Sequence, residues 1–130
     1  MKMLKFEEIE SLVFSYLELL TVSTEGLLES RERAAKFLEI QAILVACLRE
    51  IMVELSKLDT IKEATFANAI VSVEGKNVTE KKILVAKDSN YSSIREMFEQ
   101  LESFREWIKG HIRIFENAHI LYRSFSRESN

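Results

Sequence analysis

No proline occurs in the 130 residues, and glycine stands at only three places, Gly26, Gly75 and Gly110. Those are the residues that chains use to turn sharply and to stop helices. A sheet protein or α/β enzyme of this length spends many of both on its turns, so long uninterrupted helices are the economical solution. With 47% apolar and 30% charged residues, the chain is too apolar for disorder and too charged for a membrane protein. The expected class is all-α: an elongated helical hairpin or bundle with a long C-terminal amphipathic helix, forming oligomers. Length favours one helical domain over residues 1–130. Area scaling buries about two-thirds of the unfolded surface, enough for a core without metal or disulfide.

The periodicity divides the chain. Phe6, Ile9, Val13, Tyr16 and Leu20 recur at three- and four-residue steps and predict a helix over 5–20. Residues 21–26, rich in Thr and Ser and ending in Gly26, predict a turn. Phe37, Gln41, Leu44, Leu48, Ile51, Leu55 and Leu58 alternate four-three, a bundle seam on a helix over 27–58. Around Ile40 to Leu48 the pattern is apolar on nearly every side, so neighbours should cover it from more than one direction. A third helix is expected over 60–73, with Val71-Ser72-Val73 open to an extended reading, then a tight turn at Glu74–Asn77. Asn77 with Glu80 has capping-box spacing for a helix over 78–126. Asp88-Ser89-Asn90 is the place for a kink within 88–92, and Ser93 with Glu96 offers a second capping box.

The last segment carries the strongest pattern. Phe104, Trp107, Ile108, His111, Ile114, Phe115, Ala118, Leu121, Tyr122 and Phe125 advance by 3-1-3-3-1-3-3-1-3. At 100° per residue they fall within about 160° of arc. One helix over the whole segment would run on the order of 70 Å. A compact monomer has no room to bury so long a stripe, so self-assembly is expected, with Phe104, Trp107, Ile108, His111, Ile114, Phe115, Leu121, Tyr122 and Phe125 at the oligomer interface.

Net charge is −3, and it is uneven: residues 1–60 hold 7 Lys/Arg against 11 Asp/Glu, residues 61–103 hold 6 against 7, and residues 104–130 hold 5 against 3. Arg105, Lys109, Arg113, Arg123 and Arg127 project within about 80° of one another. Glu102 and Glu116 share their arc. That face is either ordinary solvation or a track for a sugar-phosphate backbone, with Trp107 or Tyr122 at its edge for base stacking. The three glycines stand alone, so no phosphate-cradling loop exists. Neither His111 nor His119 has the neighbours of a zinc site, the one cysteine, Cys47, sits in an apolar run, and no metal or other cofactor is expected. Glu7, Glu8 and Glu10 are wrong for a secretory leader, and the most apolar run covers nine residues where a spanning helix needs about 20. A cytoplasmic protein without a membrane partner is the expectation.

Two families enter by resemblance. Arg113 and His119 form an Arg-x5-His spacing that resembles the motif of the HEPN family of helical ribonucleases. That resemblance implies a dimer-assembled site in which His119 handles the 2′-hydroxyl proton and Arg113 steadies the phosphate charge. Ile114 stands where those proteins usually carry a polar residue, while Tyr122 fits some of them. Separately, Lys87-Asp88-Ser89-Asn90-Tyr91 leading into a long helix, then Ile112-Arg113-Ile114-Phe115-Glu116-Asn117-Ala118 and Arg123, resembles the tail of UvsY-type phage recombination mediators. The likeness covers about 40 residues, and the upstream hairpin is similar only in being helical. It implies a non-enzymatic, ring-forming protein that binds single-stranded DNA and helps load a recombinase. A net charge of −3 departs from that picture, so binding would rest on multivalent display by an oligomer. A protein-only phage assembly scaffold fits the same pattern.

Overall fold

The structure is a computed structural model that describes residues 6–20 and 26–128, and every described regular element is helical. Helix α1 spans Phe6–Leu17 and tightens into a 3-10 turn at Glu18–Leu20. Helix α2 spans Leu27–Ser72, α3 spans Val78–Ala86 and α4 spans Ser89–Glu128. The expected turn over 21–25 lies outside the described residues; Gly26, at its end, takes a φ of 95°, the left-handed region that favours glycine.

Two of the expected boundaries move. The helices expected over 27–58 and 60–73 are one helix, α2, because nothing at Asp59-Thr60 stops it. The Thr60 hydroxyl donates back to the Ser56 carbonyl at 3.2 Å, and Asp59 pairs with Lys62 one turn on. Val71-Ser72 stay helical as well. Conversely, the helix expected over 78–126 is two. Lys87 caps α3, and the Asp88 carboxylate accepts from the Tyr91 N–H at 2.9 Å to start α4. The break therefore falls at Asp88, and the Ser93–Glu96 box lies inside a continuous helix. Asn77 does cap α3, accepting from the Glu80 N–H at 2.8 Å, while the Glu80 carboxylate accepts from the Lys76 N–H at 3.3 Å. Asp88→Ala should cost about 1 kcal/mol of stability, read as a lower urea midpoint at unchanged slope.

Where length suggested a single domain, the contacts group the chain into two compact units: residues 1–50 with 105–130, and residues 51–104. In the second unit Phe66 and Tyr91 meet at 5.5 Å between ring centroids, and the Lys62 ammonium lies 4.1 Å over the Phe98 ring. Leu55, Val85, Leu101 and Phe104 are buried there.

The first unit is a three-helix arrangement. Phe37 of α2 stacks on Phe115 of α4 at 5.9 Å and meets Tyr122 at 5.3 Å. His119 lies beside the Ala34 carbonyl, and Gln41 donates to the Phe115 carbonyl, so rising numbers on α2 meet falling numbers on α4 and the two run antiparallel. Helix α1 covers one side of this pair. Phe14 meets Trp107 edge-on at 6.4 Å, Tyr16 meets Phe115 at 6.5 Å, and the Arg33 guanidinium donates to the Leu19 carbonyl. Burial pushes the Tyr16 phenol above its ordinary value, and the charge of Glu39 on α2 pushes it further.

The buried line on α2 in this unit is Ala34, Phe37, Ile40, Leu44 and Cys47. Ile40 and Cys47 therefore take the places expected for Gln41 and Leu48, which are half-buried. Gln41 satisfies its amide by donating to the Phe37 carbonyl as well as across to α4. The Cys47 thiol is pushed up by burial, with the Glu50 charge adding to the effect. Cys47 should accordingly resist thiol reagents in the native protein and react only after unfolding.

Candidate functional site

Two helices side by side leave two faces, and α1 occupies one of them. Measured at 100° per residue from Phe37, the α2 residues turned toward α1 are Ile40, Lys36 and Ile43, at negative angles of about 60 to 120°. The opposite arc, about 60 to 120° positive, holds Arg31, Ala34, Leu38, Val45 and Arg49. On α4 the same count from Phe115 puts Trp107 on the α1 side. His119, which touches α2, lies at about 40° on the other side, and Arg105, Lys109, Ile112, Glu116, Arg123 and Arg127 lie about 60 to 120° around. Because the helices are antiparallel, the positive arcs of both turn to the same side. Nothing in the described residues of this unit covers that side: Leu38 is 54% exposed and Val45 47%.

The result is one face with a two-part chemistry. Six cations, Arg31, Arg49, Arg105, Lys109, Arg123 and Arg127, stand on those arcs against Glu116, with Glu102 at their edge. Between the cations of α2 lie the exposed apolar side chains of Leu38 and Val45. Glu106, at the edge, pairs with Arg105 at 3.2 Å and Lys109 at 3.7 Å, so the α2 arginines and the C-terminal pair Arg123 and Arg127 make the more open cationic groups. Arg31 and Arg49 were not singled out in the sequence. For Arg31 the signal is a second register on α2, in which Arg31, Leu38 and Val45 repeat at seven-residue steps outside the seam, and Arg49 follows Val45 by one turn.

The other site expectations separate. Of the interface residues, Phe104, Ile108, Phe115 and Tyr122 are buried inside the chain itself. Within the chain, Tyr16 of α1 packs on Phe115, and Phe37 of α2 packs on Phe115 and Tyr122. Trp107 and His111 are half-buried against each other at 4.0 Å between rings, and Ile114, Leu121 and Phe125 stay exposed. Trp107 and Tyr122 do not edge the basic arc, since Tyr122 is core and Trp107 lies on the α1 side of α4. No aromatic platform therefore flanks the cations on α4.

Arg113 and His119 are not brought together within the chain. Six residues along a helix separate them by about 9 Å of rise and about 120° of turn. The His119 Nδ1–H donates to the Ala34 carbonyl at 2.7 Å, a tie between α2 and α4. The His111 Nδ1–H likewise donates to the Trp107 carbonyl at 2.8 Å. Among the described residues no group of His, Cys, Asp and Glu is arranged to hold a metal, and no helix is long and apolar enough to cross a membrane. No family model, no curated protein and no solved structure matches this chain.

Proposed function

We propose that this protein is a non-enzymatic helical accessory protein whose working surface is the basic face of α2 and α4, and that its ligand is single-stranded DNA handled in phage-type recombination or replication. One observation carries the reading: cations from two antiparallel helices converge on one side of a chain whose net charge is −3. A phosphate backbone lying along that face would meet Arg31 and Arg49 on one wall and Arg123 and Arg127 on the other. Exposed Leu38 and Val45 between them offer apolar contact to sugars and bases in place of aromatic stacking.

The test is a polarisation titration of labelled single-stranded DNA, against duplex DNA and RNA of equal length. Binding that is lost in the Arg31→Glu/Arg49→Glu double variant, with helicity unchanged, supports the reading. No binding at low salt, or binding untouched by the double variant, removes it. Metal-independent cleavage of the RNA that disappears in His119→Ala would favour the HEPN-like alternative, although His119 is engaged between α2 and α4.

A further inference from the structure

The helix that covers the first unit is acidic, and the open face is basic. Residues 6–20 carry Glu7, Glu8, Glu10 and Glu18 and no lysine or arginine. On α1, Glu7 and Glu8 are exposed, and Phe14, although its ring meets Trp107 of α4 edge-on, remains 54% exposed. Glu7 and Phe14, two turns apart, lie on one line of that helix. The same chain thus displays an acidic helix with an exposed apolar residue and, elsewhere on the same unit, a basic groove floored by exposed apolar residues.

We infer that the α1 helix of one copy docks into the α2–α4 groove of a second copy, so that the protein assembles head to tail. The docked helix takes the vacant place opposite α1 and completes a four-helix packing. Helix α1 extends about 18 Å, and Leu38 and Val45 stand about 10 Å apart along α2, so Phe14 reaches between them while Glu7 and Glu8 lie against the flanking cations. Both partners are present on every molecule, which makes a second copy the occupant that the charges favour over a separate acidic protein. The two surfaces are different, so the contact is heterologous: it leaves one acidic helix and one basic groove unused at the ends, and it propagates into a ring or a filament. It also sets α1 of a neighbour and a nucleic acid in competition for one face. The inference goes beyond the nucleic-acid reading and does not require it.

The experiment is a mass measurement by sedimentation on the full chain, without nucleic acid, at low and high salt. The wild type is expected to exceed twice its monomer mass of 15.1 kDa at low salt and to fall toward the monomer as salt screens the contact. Glu7→Lys/Glu8→Lys and Arg31→Glu/Arg49→Glu, all at exposed positions, should each be monomeric alone and helical by circular dichroism. Mixed together they should associate, because the first variant keeps an intact groove and the second an intact α1. A wild type that is monomeric at low salt overturns the inference. So does either variant associating alone as the wild type does, or a mixture that stays monomeric. A separate acidic partner would then be the remaining occupant, and the DNA titration would be unaffected.

Discussion

Phe115→Asp is expected to unfold the first unit and not merely to separate subunits. Phe115 is 0% exposed and packs against Phe37 and Tyr16. An unpaired carboxylate in such a place costs several kcal/mol, and the loss of the ring's packing adds about 3–5 kcal/mol. Whole domains are stable by only about 5–15 kcal/mol, so the sum removes most or all of the margin. The substitution also reaches α1, because Tyr16 packs on the same ring. Thermal melts followed by circular dichroism should show a much lowered or absent transition. Phe115→Leu, which keeps an apolar side chain, should retain the fold at a cost of about 1–2 kcal/mol. Full helicity in Phe115→Asp, with only the mass reduced, would return this residue to an intermolecular seam.

The contrast between those two outcomes marks what could be read from the residues. Helix content was legible throughout, because the lack of proline and the scarcity of glycine leave few ways to turn. The Asn77 cap was legible too, since it depends on local side-chain chemistry, while at Asp88 the sequence offered only a kink in one helix where the chain in fact stops and restarts. The partner of the Phe104–Phe125 stripe was not. Periodicity says that a face is buried and is silent on whether the cover comes from the same chain. Here Phe37 of α2 and Tyr16 of α1 supply it at Phe115 and Tyr122, Phe37 on a helix expected to end at Leu58 that continues to Ser72. Gln41 and Ile40 differ by one residue, and the 4-3 spacing admits either register. Only the partner helix decides, by placing the Phe115 carbonyl where the Gln41 amide reaches it at 3.4 Å. The basic face was half legible for the same reason. Its α4 cations share one helix and project from sequence alone, whereas Arg31 and Arg49 join them only when α2 is laid antiparallel alongside.

On the proposed single-stranded DNA reading, a definite salt dependence follows from that second helix. Arg105 and Lys109 are already paired with Glu106, which leaves Arg31, Arg49, Arg123 and Arg127 as the cations best able to exchange counterions for phosphates. Four phosphates neutralised on a single strand give a slope of about −2.8 in log affinity against log salt. Raising salt from 50 to 200 mM should then weaken binding about 50-fold. Arg31→Glu/Arg49→Glu should lower the slope to about −1.4 and the same salt step to about 7-fold, on top of a large loss of affinity at low salt. The pairing also predicts an asymmetry on α4: Arg123→Ala should weaken binding more than Lys109→Ala, since Lys109 must leave Glu106 before it meets a phosphate. Trp107 lies on the α1 side, against Phe14 and His111, so its fluorescence should change little on binding, and labelled DNA is the better reporter. Strong quenching of Trp107 would place the strand on the opposite side of α4 from the groove and leave Arg31 and Arg49 without a role in it, whereas Lys109→Ala exceeding Arg123→Ala would show that the Glu106 pairing does not hold Lys109 back.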